Sequence, residues 1–241
     1  MIEVQELTKL YGDFPAVTSI SFDVQPGEVV GLVGPNGAGK TTTLRSIVGI
    51  IRPTSGRIRI AGHDLHDDPL PAKQQLAFVP DEPQLFDYLT VDEHLMFVAR
   101  IYNVEGFEAR AELLLDELEL RDKRGALPDE LSRGMKQKLA IACALLHEPR
   151  ALLFDEPLTG LDPGAIRRMK QTIRSRADAG AAVILSSHLL QLVEELCTRI
   201  VVIQSGRVVA HGAIREIAAS RPELEGRGLE ELFLAITEQR A

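Results

Sequence analysis

The stretch that decides the fold is Gly34-Pro35-Asn36-Gly37-Ala38-Gly39-Lys40-Thr41, which matches every position of the phosphate-loop pattern G-x-x-x-x-G-K-S/T. The continuous apolar run Val29–Val33 precedes the loop and predicts a strand that is buried on both faces. A helix is predicted over residues 41–48. A strand, a glycine-rich loop and a helix in this order are typical of α/β proteins that bind phosphate groups.

The residue types in this loop suit phosphate chemistry. Glycines let the backbone curl around a phosphate with its N–H groups pointing inward. We predict that Lys40 contacts the β- and γ-phosphates of ATP and that Thr41 gives its hydroxyl to Mg²⁺. A plain glycine-rich turn, the alternative, does not require a lysine and a threonine at these positions. The predicted nucleotide-binding residues of the segment are Gly34, Pro35, Asn36, Gly37, Ala38, Gly39, Lys40, Thr41 and Thr42.

Two more polar clusters directly follow predicted strands. Asp155 and Glu156 come after the apolar residues 151–154, and His188 comes after the strand predicted at 182–185. Ligands in open α/β sheets bind at the carboxyl ends of the strands, so we expect these clusters to meet the phosphate loop. Asp155 is predicted to hold Mg²⁺, Glu156 to face the attacking water as a base, and His188 to contact the γ-phosphate. The alternatives are an ordinary acidic loop and a structural histidine.

A third motif lies between these clusters, Leu131-Ser132-Arg133-Gly134-Met135. Ser132 is a natural N-cap for a helix that runs to Leu146. Arg133 and two lysines occupy the first turns of this helix, where positive charge opposes the helix dipole. Either this is a basic, exposed helix start, or it faces an anion.

The remaining sequence favours an alternating α/β architecture. Ile20, Phe22 and Val24 alternate with polar residues as in a strand, whereas residues 85–146 carry apolar side chains at helical spacing. Strand patterns return at 151–154, 182–185 and 200–204, and the region from Ala213 is predicted to be helical with a polar tail. This order predicts a mostly parallel sheet with helices on both faces.

Composition narrows the class of protein further. The chain has 241 residues, 45% of them hydrophobic, and a formal net charge of −8. The negative charge argues against a nucleic-acid partner, since such binding relies on clusters of lysine and arginine. No apolar run is long enough for a membrane span, and the N-terminus does not resemble a signal peptide. We therefore expect a cytoplasmic protein.

These motifs in this order resemble the ATP-binding cassette (ABC) ATPases over nearly the whole chain. Within the resemblance, Tyr11 corresponds to the aromatic residue that stacks on adenine, and Gly160-Leu161-Asp162 to the D-loop. The family implies a dimer in which each ATP lies between one chain's phosphate loop and the other chain's signature motif. Ser132 and Gly134 would then bind the partner's nucleotide, and the basic helix start would have no anion within its own chain.

The resemblance also implies the fold. It is an α/β P-loop NTPase (RecA-like) core with an antiparallel β subdomain and an inserted α-helical subdomain. We expect a single ABC ATPase domain over 1–241, with the nucleotide-binding core and β subdomain at about 1–80 and 147–241. The helical subdomain with the signature motif would occupy about 81–146.

The chain departs from the family pattern in two places. The signature motif, usually LSGGQ, has Arg133 and Met135, and the run from Arg133 resembles the ATPase subunits of bacterial single-cassette exporters. Asp81 stands where the family has the glutamine of the Q-loop. We predict that Asp81 takes that glutamine's place as a catalytic and metal-binding residue, near Mg²⁺ and the attacking water. The alternative is that Asp81 caps a turn and faces solvent.

The first functional hypothesis is an ATPase subunit that powers transport, with export favoured, through a separate transmembrane permease. Its partners would be the permease and a second ATPase chain, identical or different, at the cytoplasmic face of the membrane. An exposed apolar segment could dock the permease, unless its residues belong to the helix-packing core: Leu85, Phe86, Tyr88 and Leu89. The alternatives are a non-transport ABC ATPase acting on ribosomes or chromosomes, and a P-loop kinase.

Overall fold

A computed structural model describes residues 1–219 and 228–238. Its strands are β1 (Ile2–Tyr11), β2 (Phe14–Val24), β3 (Val29–Val33), β4 (Ser55–Ile60), β5 (His63–Asp64), β6 (Leu76–Val79), β7 (Ala151–Asp155), β8 (Ala182–Ser186), β9 (Arg199–Gln204) and β10 (Arg207–Ala213). Its α-helices are α1 (Lys40–Ile47), α2 (Pro69–Gln74), α3 (Val91–Tyr102), α4 (Phe107–Glu117), α5 (Arg133–Leu145), α6 (Pro163–Asp178), α7 (Leu190–Leu196), α8 (Ile214–Ala219) and α9 (Leu229–Glu238). Short 3-10 helices lie at Arg121–Lys123 and Pro128–Glu130.

A six-stranded sheet forms the centre of the molecule, in the order β10-β9-β3-β8-β7-β6. All its neighbouring strands pair in parallel except β10, which is antiparallel to β9. Every residue of β3, β7 and β8 is buried. Such apolar strands are stable only where helices or a second sheet cover both faces. The predicted mostly parallel sheet is confirmed.

The second sheet is antiparallel, in the order β2-β1-β4-β5. Ile20, Phe22 and Val24 of β2 point into the core, as their alternation predicts. They join one hydrophobic cluster with Leu44 and Ile47 of α1, which packs this sheet over the central one. The β1–β2 hairpin ends in a two-residue turn between Tyr11 and Phe14. The tip of the hairpin lies next to the phosphate loop.

Helices α3, α4 and α5 form the helical region predicted from the spacing of apolar residues between 85 and 146. The start of α3 carries a capping box, in which Thr90 and Glu93 satisfy each other's backbone N–H groups. Two carboxylates, Asp92 of α3 and Glu112 of α4, are joined through the guanidinium of Arg124. The division of the domain into a core and a helical subdomain remains a prediction.

The C-terminal part is helical where it is described. Helix α8 follows β10 directly, and Leu232 and Ile236 of α9 are buried in the main core cluster. The predicted polar tail lies outside the described residues. Among the helices of residues 1–219 and 228–238, none has the length and apolar character that a membrane crossing requires.

Candidate active site

The carboxyl ends of the central strands place the predicted site residues along one edge of the sheet. In the register of the sheet, Ser186 at the end of β8 stands opposite both Leu32 of β3 and Asp155 of β7. The phosphate loop, which follows β3, therefore begins on one side of β8. Asp155, at the end of β7, lies on the other side. Next to β7, β6 delivers Pro80 and Asp81 to the same edge. This topology brings four distant segments together.

The phosphate loop needs its glycines for reasons of space and backbone conformation. Gly39 has a φ of 105°, and a Cβ atom there would lie 2.7 Å from the carbonyl oxygen of Ala16. At Gly34, a Cβ atom would lie only 2.2 Å from the carbonyl oxygen of Ile203. Both distances are too short for a non-bonded contact. A side chain at either position would displace the loop.

Lys40, at the first position of α1, reaches back to the start of the phosphate loop. Its ammonium donates hydrogen bonds to the carbonyl oxygens of Gly34, at 2.7 Å, and Pro35, at 3.1 Å. Burial lowers the pKa of Lys40, while the carboxylates of Glu156 and Asp155 act in the opposite direction. A buried cation at a helix N-terminus, with flanking backbone N–H groups, fits the phosphate chain of a nucleotide.

A cleft of about 350 Å³ joins this loop to the tip of the β1–β2 hairpin. Its lining residues are Tyr11, Phe14, Ala16, Asn36, Gly37, Ala38, Gly39, Lys40, Thr41, Thr42, Asp155 and Glu156. The cleft thus combines exposed aromatic rings with the phosphate loop, an arrangement that suits the base and the phosphates of a nucleotide. Phe14 was not predicted. Phe14 pairs directly with Tyr11 across the hairpin. The turn residues Gly12 and Asp13, which lie between the two aromatic residues, could have indicated this pairing from the sequence.

Glu156 and His188 form a pair at the end of the buried strands. Glu156 has a φ of 51°, an unusual left-handed conformation for a residue other than glycine, and its N–H donates to the carbonyl oxygen of Ser186 at 3.0 Å. The Nδ1–H of His188 donates to Oε2 of Glu156 at 2.8 Å. Burial raises the pKa of Glu156, and the contact with His188 partly offsets that rise. A carboxylate with a raised pKa, oriented by a histidine, is suited to accept a proton.

Thr41, Asp155 and Asp81 line a second, larger groove of about 860 Å³ that adjoins the cleft. Hydroxyl and carboxylate oxygens are the donors that Mg²⁺ prefers, so the residues present fit this ion. Within residues 1–219 and 228–238, no three acidic, histidine or cysteine side chains gather into a metal cage.

The start of α5 departs from expectation. Nη2 of Arg133 lies 3.6 Å from Oδ1 of Asp81, and its side chain also lies against Gly160. Lys138 binds the carboxylate of Glu119 at 3.0 Å. The expectation that this helix start has no anion within its own chain is therefore wrong. The reason is topological, since the end of β6 lies beside α5, where Gln137 donates to the carbonyl oxygen of Pro80 at 3.3 Å.

Ser132 and Gly134 are not among the residues that line the nucleotide cleft of the same chain. Ser132 caps α5 as predicted, its hydroxyl oxygen accepting from the N–H of Met135 at 3.3 Å. Gly134 faces the segment Gly160-Leu161, where the carbonyl oxygen of Gly160 would lie 3.5 Å from an added Cβ atom. The signature motif therefore packs against the D-loop and away from the cleft of its own chain.

The predicted docking segment is only partly exposed. The side chain of Tyr88 is 91% exposed and that of Phe86 is 53% exposed, whereas Leu85 and Leu89 are half-buried. His94 holds the segment in place, because its Nε2 accepts from the N–H of Phe86 at 2.9 Å. The sequence alone indicates no role for His94, because a histidine in the first turn of a helix is a weak signal.

Comparisons with known proteins agree with this geometry. A protein-family model described as ABC transporter matches residues 17–159. The chain is 42% identical over 216 residues to the Nod factor export ATP-binding protein I of Burkholderia pseudomallei, which covers 89% of this chain and 71% of that protein.

Solved structures give the same result. A structure of the ATP-binding subunit of an ABC transporter is 37% identical, with a TM-score of 0.94 over 98% of this chain and 99% of that one. A second is a dimeric ATP-binding cassette in a post-hydrolysis state, bound to ADP and Pi. It is 26% identical, with a TM-score of 0.80 over 89% of this chain and 99% of that one.

Proposed function

This chain belongs to the family of ABC transporter ATP-binding proteins, which hydrolyse ATP, and we propose that it powers export through a separate membrane permease. The proposal rests on one observation. At the carboxyl-end edge of the central sheet, four side chains lie together: Lys40, Asp155, Glu156 and His188. Two features support export: the run that begins at Arg133, and the similarity to a relative named for export. The proposed location is the cytoplasmic face of the membrane.

Each residue of the edge has a proposed role in hydrolysis. Tyr11 stacks on the base, and the loop N–H groups with Lys40 bind the phosphates. Glu156 accepts the proton of the attacking water, while His188 orients Glu156 and reaches the γ-phosphate. Thr41 and Asp155, with Asp81, would hold Mg²⁺, which neutralises charge on the β- and γ-phosphates when bound.

Two chains are proposed to complete each site. Ser132 and Gly134 stand outside the cleft of their own chain, and their position at the start of α5 leaves backbone N–H groups available to an anion from outside. We propose that they bind the nucleotide held by a second chain, either a copy of this one or a different cassette. ATP then acts as the bridge between the chains, and its hydrolysis separates them.

Asp81 provides a test of the metal site, since it lines the same groove as Thr41 and Asp155. We expect Asp81→Gln to shift the Mg²⁺ dependence of ATPase activity, because an amide is a weaker ligand for a hard cation than a carboxylate. The measurement is a Mg²⁺ titration of turnover at fixed ATP, with Asp87→Asn in the neighbouring loop as control. A titration curve and maximal rate equal to those of the wild type would reject the role.

The permease is proposed to bind the groove beside Phe86. Exposed apolar side chains gather there, because Ile50 and Phe97 line the groove with Phe86 and are 64% and 40% exposed. A cluster of exposed apolar side chains in a groove is typical of a protein–protein contact. A charged side chain in its centre should therefore weaken docking, by a factor of about ten or more if Phe86 is a central contact.

The test is co-purification from solubilised membranes of the native host, with identification of the bound proteins. Wild type and Leu113→Asp should retain a polytopic membrane protein, whereas Phe86→Asp should lose it. Leu113 on α4 is a matched control, since its side chain is 70% exposed and does not line the groove. Retention of the same membrane protein by Phe86→Asp would exclude this docking surface. Recovery of ribosomal or chromosomal proteins instead would contradict the transport function.

A further inference from the structure

A lysine stands beside the aromatic residue proposed to stack on the base. Lys9 and Tyr11 are two residues apart at the end of β1, where the pairing with β2 is irregular. The ammonium of Lys9 lies over the ring of Tyr11, 5.1 Å from the ring centroid. This distance is within the range of a cation–π interaction. One face of the Tyr11 ring is therefore covered by a positive charge.

A contact outside the β1–β2 hairpin fixes the position of the Lys9 side chain. Its ammonium donates a hydrogen bond of 2.9 Å to the carbonyl oxygen of Arg52, in the connection between α1 and β4. Two other bonds join the same segments, from Leu10 N–H to the Thr54 hydroxyl at 3.0 Å and from Thr54 N–H to the Thr8 carbonyl at 2.8 Å. The hairpin therefore stays attached when the Lys9 ammonium is removed. Its contribution to the Tyr11 ring can be measured separately.

The covered face leaves one side of the ring for a ligand. Tyr11 is 49% exposed and lines the cleft that leads to the phosphate loop. A base that stacks on Tyr11 must use the face that Lys9 leaves open. A cation on the opposite face attracts the π electrons of the ring, which strengthens stacking of an electron-rich purine and also limits rotation of the ring.

We propose that Lys9 is a positioning residue for the nucleotide base, acting through Tyr11. Anchored at the Arg52 carbonyl, it holds the Tyr11 ring ready for stacking before the nucleotide arrives. This inference rests on the proposed role of Tyr11 and deepens it. A purely structural role of Lys9, tying β1 to the 48–54 segment, predicts no selective effect on the base.

The experiment compares a ligand that has a base with one that lacks it. ADP binding is measured by calorimetry with Mg²⁺, and inorganic tripolyphosphate is measured by displacement of ADP. Lys9→Met keeps the side chain's length and loses its charge. We expect it to weaken ADP binding about three- to five-fold, the size of an exposed cation–π contribution, and to leave tripolyphosphate binding unchanged. Lys9→Arg should restore ADP affinity, and Lys123→Met, remote from the cleft, should not alter it.

Tyr11→Ala completes the test. It should weaken ADP binding about tenfold or more without affecting tripolyphosphate, and adding Lys9→Met to it should cause no further loss. If Tyr11→Ala weakens ADP binding while Lys9→Met does not, or if Lys9→Met weakens both ligands equally, the inference on Lys9 is overturned and Tyr11 keeps its role. If Tyr11→Ala leaves ADP binding unchanged, Tyr11 is not the base platform, and the proposed role on which the inference rests fails with it.

Discussion

Glu156→Gln should bind ATP and hydrolyse it about 10²–10⁴-fold more slowly than the wild type, the usual cost of losing a general base. The amide oxygen of glutamine can still accept the hydrogen bond that the carboxylate receives from His188 at 2.8 Å. The geometry of the pair is therefore kept, and only the ability to accept a proton from water is lost. Steady-state phosphate release measures the effect, with Glu148→Gln on the exposed surface as control.

The same variant tests the two-chain site. Because hydrolysis is blocked, ATP should hold two chains together, and light scattering should show a doubled mass with MgATP and a single chain without it. A single chain under both conditions would contradict a homodimer and require a different cassette as partner. Turnover close to that of the wild type would remove Glu156 from the role of base.

Lys40→Ala should abolish tight MgATP binding. Hydrogen bonds to charged groups contribute about 1.5–3 kcal/mol each, so losing the ammonium should weaken binding by about 10- to 100-fold. Turnover should fall further, by about 10²-fold or more, because positive charge stabilises the phosphoryl group during transfer. Calorimetry with MgATP and a phosphate-release assay measure the two effects.

A second substitution separates lost charge from lost packing. Lys40 is buried, so alanine also removes side-chain contacts, whereas Lys40→Met keeps the aliphatic stem. Both variants should lose ATP binding, and both should unfold at a temperature near that of Lys123→Ala, an exchange far from the site. ATPase activity near the wild-type level in a folded Lys40→Met protein would be inconsistent with the phosphate role.

At the start of α5, one contact is local in sequence and another joins distant segments of the chain. The N-cap Ser132 was predictable, because capping depends on residues within one turn of each other. The neighbour of Arg133 was not, because Asp81 is more than fifty residues away and reaches α5 through the pairing of β6 with β7. The contact of His94 with the N–H of Phe86 was not predictable for the same reason, because it depends on the path of the loop before α3.

The amino-acid sequence by itself determined the phosphate loop, the buried strand before it and the helix after it. These features depend on local requirements: glycine where a side chain has no space, apolar runs for strands covered on both faces, and Lys40 at a helix start. It also indicated that Asp155, Glu156 and His188 follow strands.

Only the tertiary structure decided which of these side chains touch. The strand order β3-β8-β7-β6 does not follow the chain, so it is set by the crossover helices and the packing of the whole core. That order joins His188 to Glu156 and brings Asp81 to Arg133. The folding of β1 against the α1–β4 connection likewise placed Lys9 over Tyr11. Contacts of this kind depend on distances across the fold, which no local pattern of residues contains.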